Sequence, residues 1–394
     1  MIEDLCFRRD EALRAKLGAK YDRFFEYLLR TDPLADEVIR ELEDLPREES
    51  SKIIATALNQ GIDHVKDTPP ALRALFAEVD RVPDWVDWEQ LDIGGAAFLR
   101  SGVLGVFVIA LRSLPISYSS PAGNKPLVFS GRMTHKAARR MGETGRFVYL
   151  TSQPGGLRRF SEGFKVNIKV RLMHAQVRRY LWKSERWRPE LWGEPINQSY
   201  MAATNLLLSV GLLDGMTAMG LSFTEKQRSG LMQLWRYSAF LSGVAPELLS
   251  SGEDDARELL NMVFALDGPP DLFSKRLVSA LMDASQNLGI RPSGWLRNFF
   301  FGISEGLIGH ERARSLDYPR THWGLLVPAM YPFVRAADRL RTWAPPLDRL
   351  VESLGARGWS KVIDITLAGP MPDFTRPKQL HTQVKGGQVK GGPA

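Results

Sequence analysis

Six histidines are the side chains of this sequence best suited to holding a metal or a cofactor: His64, His135, His174, His310, His322 and His381. No two of them lie three to five residues apart, so no helix can present a local pair of imidazoles to a metal ion. Cys6 is the single cysteine and therefore forms neither an internal disulfide nor a cysteine-rich metal site. A group held by one imidazole remains open, and haem is the main case because one axial histidine can hold its iron.

His174 is the histidine whose surroundings best suit that task. It lies in FKVNIKVRLMHAQVRRYLWK, residues 164–183, where apolar positions recur at helical spacing. The residues expected to share its apolar stripe are Val170, Met173, Val177 and Leu181. The cationic residues of the segment are expected to lie mostly elsewhere on the helix: Lys169, Arg171, Arg178 and Arg179. An imidazole on such a stripe needs a partner. Two interpretations stay open, a core histidine bonded to a backbone carbonyl and an axial ligand of haem.

A second pair of residues upstream has spacing suited to binding an oxygen species. In HKAARRMGETGRF, residues 135–147, Arg140 and Thr144 are four residues apart and share one face of a helix. A guanidinium stabilises negative charge that builds up on an oxygen atom, and a hydroxyl can donate to the same atom. The alternative is a solvated arginine and a helix-terminal threonine beside Gly145.

Helical periodicity dominates the segments that must position these residues. We expect helices over 9–46 with a restart at Pro33, and then at about 48–63, 70–79, 132–151, 161–183, 198–220, 224–242, 250–266, 271–286 and 291–308. Residues 322–355 are expected to be helical with proline interruptions at 328, 332, 345 and 346. Thr224 and Gln227 have the spacing of a capping box. Strand-like alternation is scarce, so the sequence predicts one large all-α domain.

A glycine-rich apolar region interrupts this pattern. Gly94, Gly95, Gly102 and Gly105 recur within it, which favours close helix–helix packing over close approach of a flat ligand. Residues 113–131 are rich in Ser, Pro and Gly, and we expect a loop there. The apolar segment 102–111 is too short for a bilayer span. The apolar segment 202–223 is interrupted by Asn205 and Asp214, so both segments are expected to be buried helices.

The charge of the chain gives little support to nucleic-acid binding. The net charge is +7, but residues 376–394 contribute four cations and no acid, which leaves +3 for residues 1–375. The repeated QVKGG of that segment suggests a flexible basic tail outside the helical domain of 1–375. HExxH, GxSxG and Walker A motifs are absent. The start of the chain lacks an apolar signal region, and we expect a cytoplasmic protein.

Five segments in the same order make residues 70–350 resemble the latex clearing protein and MpaB-type family of haem b oxygenases. They are VDRVPDWVDWEQLDIGGAAFLRSG, RRMGETGRF, VRLMHAQVR, WGEPINQSYMAATNLLLS and LSFTEKQRSGLMQLWRYSAFLSGVAPELL. The resemblance implies a globin-like, all-helical core around haem b, with one proximal histidine and dioxygen on the opposite face. Its histidine corresponds to His174, and its arginine and threonine correspond to Arg140 and Thr144.

This sequence also departs from the latex-cleaving members of that family. They carry a lysine just before the threonine, where this chain has Glu143, and a glutamate base about twenty residues earlier, near which this chain has Asn124. Residues 93–142 contain no Asp or Glu. Glu143 is therefore the nearest carboxylate that could act as a base, and an ordinary solvated residue is the alternative for it. Rubber cleavage is not expected to carry over.

The resemblance favours a haem b-dependent oxygenase that uses dioxygen on a small apolar substrate, an alkene or an isoprenoid-like molecule. Glu143 in place of the lysine favours one alternative, a haem-binding sensor or carrier without turnover, including a variant with His135 as a second axial ligand. Another alternative is a cofactor-free helical protein that binds lipids or a partner, with weak membrane-surface contact through the Lys-bearing tail.

Overall fold

The computed structural model describes residues 6–129, 137–283, 294–342 and 345–367 of the 394-residue chain. The chain is 75% helical, and the described residues form no β-strand. The prediction of an all-α protein is therefore confirmed. The boundary between a domain of 1–375 and a tail of 376–394 lies outside the described residues, so that division stays a prediction.

Side-chain caps set the starts of several N-terminal helices. Asp10, Asp32 and Asp87 each accept a hydrogen bond from a backbone N–H in the first turn that follows. Pro33 occupies the first position of its helix, where its missing N–H costs nothing. The helices are α1 (Glu11–Leu17), α2 (Ala19–Tyr27), α3 (Pro33–Glu43), α4 (Arg47–Asn59), α5 (Pro70–Asp80) and α6 (Trp88–Leu99).

The region after α6 differs from the sequence-based expectation. The expected loop at 113–131 is wrong, because it contains two short helices. The elements are α7 (Gly102–Val108), a π-helical turn (Ile109–Ser113), α8 (Leu114–Ser119) and α9 (Lys125–Phe129). Gly102 has a φ of +52° and interrupts the helical backbone between α6 and α7. The Ser/Pro/Gly composition of residues 113–131 misled the prediction, since tertiary packing overrides weak helix propensity.

The central helices carry the candidate residues. They are α10 (Ala137–Thr151), α11 (Glu162–Lys183), α12 (Pro189–Trp192), α13 (Gln198–Leu208), α14 (Val210–Ala218) and α15 (Glu225–Leu241). The single helix expected at 198–220 is divided at Ser209, whose φ of −102° and ψ of −96° are not helical. The capping box is confirmed, because Thr224 and Gln227 exchange both side-chain-to-backbone hydrogen bonds.

The C-terminal helices close the structure around these. They are α16 (Glu253–Leu266), α17 (Leu272–Asp283), α18 (Gly294–Ile308), α19 (His310–Ser315), α20 (Leu326–Thr342) and α21 (Pro345–Leu367). The stretch 322–355 contains a short 3₁₀ turn (Trp323–Leu325), α20 and the start of α21. The new helix at Pro345 agrees with one of the expected proline interruptions, whereas Pro332 lies inside α20. Buried apolar side chains from Ala35 to Ile363 form one continuous core that involves most of these helices.

Glycines let the two central helices α6 and α15 cross at close range. A Cβ at Gly94 would overlap the backbone of Gly230, and a Cβ at Gly95 would overlap the carbonyl of Ser152. The prediction that these glycines serve helix–helix packing is confirmed. The connection between α10 and α11 packs against α6 beside this crossing, where Ser152 lies against Gly95.

Two helical stretches are long and apolar enough to cross a bilayer by length and composition, Gly102–Ser119 and Gln198–Ala218. They are 50% and 67% buried inside the protein, respectively. Such burial is what core helices of a folded protein show, and it agrees with the expectation for both segments.

Candidate functional site between α10 and α11

A tight connection brings α10 and α11 into contact. A Cβ at Gly163, in the first turn of α11, would overlap the carbonyl oxygens of Leu150 and Gly156. The Phe164 N–H donates to the Gly156 carbonyl at 2.8 Å. Asp92 of α6 accepts from the Gly155 N–H at 2.6 Å. The two helices that carry the predicted site residues are thereby fixed to each other and to α6.

His174 lies on α11 and is half-buried, with its Nδ1 atom inaccessible to solvent. Val170 and Met173 beside it are also half-buried, whereas Val177 and Leu181 further along the helix are buried. The predicted stripe thus passes from a partly accessible region around the imidazole to a closed core. An imidazole at such a boundary can face a large ligand while the rest of its helix stays packed.

Two arginines on the same helix contradict the expectation that they lie mostly away from His174. Arg171 precedes His174 by three residues and Arg178 follows it by four, which places both beside it on one helix face. Their side chains are buried. The spacing of three and four residues from His174 already places both arginines on its side of a helix, so this expectation was wrong.

Acidic partners explain how these buried arginines are accommodated. The Arg171 guanidinium bonds Asp32 at 2.7 Å and 3.0 Å, and Glu78 at 2.7 Å. Arg178 donates to Asp36 at 2.6 Å. Burial lowers the pKa of Arg171, but the charge and hydrogen bonds of Asp32 outweigh it and the pKa is raised overall. Arg171 therefore connects α11 to the start of α3 and to α5, and Arg178 connects α11 to α3.

A buried amide joins the same helix to two others. Asn167 donates to Thr151 at 3.1 Å and accepts from Ser238 and Ser242 at 2.7 Å and 3.0 Å. It also donates to the Gly163 carbonyl at 2.8 Å, so its hydrogen-bonding capacity is well used. Asn167 is seven residues before His174 and therefore near the same face. The sequence analysis missed it, although an amide and two arginines at positions 167, 171 and 178 form a helical polar series.

The predicted oxygen-binding residues lie on α10. Glu143 and Thr144 are half-buried. Gly145 beside them lies close to α21, since a Cβ added to it would be 3.6 Å from the Ile363 side chain. Arg140 lies one turn before Thr144 in the same helix, and its side chain is outside the described residues. The structure therefore brings the helix of Arg140, Glu143 and Thr144 into contact with the helix of His174.

The remaining histidines separate into two groups. His64, His310 and His322 are exposed, and His310 is bonded to Glu305 at 2.6 Å. His135 and His381 lie outside the described residues. Within the described residues no three side chains of His, Cys, Asp or Glu gather in a way that could hold a metal ion.

That donor set fits haem better than a metal held by the protein alone. A bare transition metal needs three or four protein ligands, whereas a porphyrin supplies four nitrogens and leaves one axial position for an imidazole. His174 can fill that position, and the half-buried apolar side chains Val170 and Met173 beside it are compatible with a porphyrin edge.

Asn124 is the residue that the sequence analysis named near the expected position of a glutamate base. It is buried at the start of α9, which contacts α11. Its amide nitrogen donates to the Tyr118 carbonyl at 3.1 Å and to the Ser274 hydroxyl at 2.8 Å. A neutral amide held in this way cannot accept a proton as a carboxylate does.

Similarity to known proteins defines the class of this all-α fold. The sequence profile of the family described as "ER-bound oxygenase mpaB/B'/Rubber oxygenase, catalytic domain" matches residues 98–344. This range includes α10 and α11 in full, and the chain belongs to that oxygenase family. One relative is "Rubber oxygenase" of Streptomyces sp. (strain K30), 24% identical over 321 residues that make up 78% of this chain and 77% of that protein.

A solved structure shares the fold. It is described as "Structure of Latex Clearing Protein LCP in the closed state", and it superposes with a TM-score of 0.63 at 20% sequence identity. The superposition covers 84% of this chain and 88% of that one. The resemblance stated from the sequence is therefore confirmed.

Proposed function

We propose that this protein is a haem b-dependent oxygenase that uses dioxygen to oxidise a small apolar alkene or isoprenoid-like molecule. The observation that carries the proposal is the half-buried imidazole of His174, on a helix packed against α10 within the range matched by the family's catalytic domain. Haem, when bound, would supply the one-electron and dioxygen chemistry that amino-acid side chains lack.

His174 has two tasks in this proposal. Its ring would hold the cofactor through one nitrogen, and the partners of its helix would keep the ring in place. Arg171, Arg178 and Asn167 anchor α11 on either side of the imidazole. An anchored helix reduces the positional freedom of the ligand, which is how surrounding contacts tune a metal ligand.

Arg140 and Thr144 would act on the oxygen species. Their four-residue spacing in α10 places them on one helix face. The guanidinium would stabilise developing negative charge, and the hydroxyl would donate a hydrogen bond to the same oxygen species. Glu143, half-buried beside Thr144, would accept a proton from the substrate.

The apolar substrate class is supported by a relative and by apolar side chains of α10. The Streptomyces relative is described as a rubber oxygenase, and rubber is an isoprenoid polymer. In this chain Met141 and Phe147 of α10 are partly buried apolar side chains packed on the main core. Because Glu143 and Asn124 replace the residues expected in latex-cleaving members, we propose a small alkene rather than the polymer.

Oxygen consumption by the haem-loaded protein tests this function. We expect uptake of dioxygen that depends on a short isoprenoid alkene, with labelled oxygen recovered in the product. Glu143→Gln should lower kcat by about 10²- to 10⁴-fold without changing the haem spectrum. Thr144→Val should also slow turnover. A stable oxygen complex that never consumes any alkene would instead support the alternative function, a sensor or carrier.

A further inference from the structure

Exposed apolar side chains are concentrated at one part of this molecule. Fourteen large apolar residues are exposed within the described residues, and eight of them lie between positions 295 and 354. These eight are Trp295, Trp323, Leu325, Tyr331, Phe333, Leu340, Leu350 and Leu354. Scattered exposed leucines are normal on a protein surface, whereas a concentration of this kind marks an interaction site.

Helix α20 buries Val327 and an ion pair on its inward face and exposes large apolar side chains on its outward face. The ion pair, Asp338 with Arg341 at 2.9 Å, leaves 3% and 6% of the two side chains exposed. Phe333 and Leu340 are 77% and 70% exposed. The inward face also contacts a glycine, since a Cβ at Gly220 would touch Val334 at 3.0 Å. A surface helix that is surrounded only by water exposes charged residues rather than large apolar ones.

The outward residues of α20 form one stripe. At about 100° per residue they fall within an arc of roughly 100° on the helix. We call them the α20 stripe: Leu325, Ala329, Pro332, Phe333, Ala336 and Leu340, of which Leu325 precedes the first turn. All six are exposed.

Aromatic rings lie beside the start of the stripe. Trp323 packs against Phe299 and Trp295 with ring centroids 5.5 Å and 6.5 Å apart. Trp295 and Trp323 are exposed, and Trp323 is two residues before Leu325. Tryptophan is enriched where protein meets the polar–apolar boundary of a bilayer, because its ring is amphipathic.

The outward side of α20 carries no carboxylate. The only carboxylate in the sequence of this helix is Asp338, which is buried in its ion pair with Arg341. Arg339 is exposed at the edge of the stripe. The exposed apolar residues of α20 therefore have no acidic neighbour within their own helix.

The neighbouring helix α21 carries two exposed cations. Its exposed Leu350 and Leu354 share a helix face with the exposed Arg357 and Lys361. Asp364 follows one turn later in sequence, and its side chain lies outside the described residues. The charged side chains that the structure describes on this face of α21 are therefore cations, and they lie beside exposed leucines.

We propose that the α20 stripe docks this protein on an anionic lipid surface, with Phe333 and Leu340 inserted among the acyl chains and the flanking cations at the headgroups. Apolar insertion combined with cationic attraction is how amphipathic helices bind such surfaces. A second copy of the chain fits less well, because pairing the same face would bring its cations together. The proposal goes beyond the oxygenase function and does not depend on haem.

Vesicle co-sedimentation of the full chain tests the proposal. One set of vesicles contains phosphatidylcholine alone, and the other contains phosphatidylcholine mixed with phosphatidylglycerol. We expect binding to the anionic vesicles that weakens as salt is added. The double variant Phe333→Ser/Leu340→Ser should bind about tenfold more weakly or worse, since it loses most of the inserted apolar area.

A matched double variant controls for loss of exposed leucines in general. Leu29 and Leu272 are 65% and 59% exposed in other helical regions, and Leu29→Ser/Leu272→Ser should bind as the wild type does. Circular dichroism of both variants verifies that they are folded. Vesicle binding by the Phe333→Ser/Leu340→Ser variant at the wild-type level overturns the proposal. The proposal is also overturned if the wild type binds no vesicles but forms a dimer that this double variant disrupts.

Discussion

Arg171 and Asp32 form a two-point ion pair in the interior of the protein. The Nε atom donates to Oδ2 at 2.7 Å and the Nη2 atom to Oδ1 at 3.0 Å, and each side chain is 3% exposed. Asp32 also caps α3 by accepting from the Ala35 N–H at 3.2 Å. The helix that carries His174 is thus bonded to the start of a helix 139 residues earlier in sequence.

Breaking this pair should destabilise the fold strongly. Arg171→Met leaves the buried Asp32 carboxylate without its main partner, and we expect a loss of about 3–5 kcal/mol in the free energy of unfolding. Urea denaturation measures it. Arg14→Met, which removes the exposed pair with Asp22, should cost at most about 1 kcal/mol. Equal losses in the two variants would show that the buried pair has no special role.

The α6–α15 crossing gives a prediction in which the usual sign of a substitution is reversed. Gly to Ala inside a helix normally stabilises by about 1 kcal/mol. At Gly94 the added Cβ would overlap the Gly230 backbone, and we expect Gly94→Ala to destabilise by about 1–3 kcal/mol or more. Gly252→Ala is the control, because no atom lies within 4 Å of its added Cβ. A higher melting temperature for Gly94→Ala would contradict the close crossing.

Asp267 should give the protein a measurable pH dependence of stability. Burial raises the pKa of this carboxyl from 3.8 to about 6, opposed by hydrogen bonds from Tyr200 and Ser120 at 2.5 Å and 3.1 Å and by the charge of Arg312. The folded state then binds the proton more tightly than the unfolded state. Its contribution to stability is therefore present at low pH and is lost as pH rises from about 4 through 6.

Asp267→Asn tests this dependence, because the amide oxygen can still accept both hydrogen bonds without titrating. We expect the stability of the variant relative to the wild type to grow by about 3 kcal/mol between pH 4 and pH 7. Denaturation curves at both pH values measure the difference. The exposed Asp84→Asn variant should show no comparable change. A constant difference between Asp267→Asn and wild type would contradict the raised pKa.

Local sequence signals predicted much of this architecture. Helical periodicity located the long helices α10, α11 and α15, and the Thr224–Gln227 spacing located a capping box that the structure contains. The glycines of α6 were correctly assigned to helix packing. These features depend on residues near one another in sequence, and their physical causes can be evaluated without the rest of the chain.

Long-range partners decided the features that the sequence did not predict. Arg171 and Arg178 are buried because Asp32, Glu78 and Asp36 neutralise them from distant helices. The short helices α8 and α9 form against α17 and α11, respectively. Contacts between residues so far apart in sequence cannot be recognised from local patterns. The roles of Arg140, Glu143, Thr144 and His174 remain predictions for experiment.

Haem binding by the His174→Ala variant is the measurement that tests the account most directly. Haemin is titrated into wild-type protein and into His174→Ala, His64→Ala and His135→Ala, and the Soret band is recorded in oxidised and reduced samples. We predict that wild type, His64→Ala and His135→Ala retain stoichiometric haem and that His174→Ala loses it, with retention restored in His174→Gly by added imidazole. Full retention by His174→Ala, or no Soret band in wild type, would contradict the account.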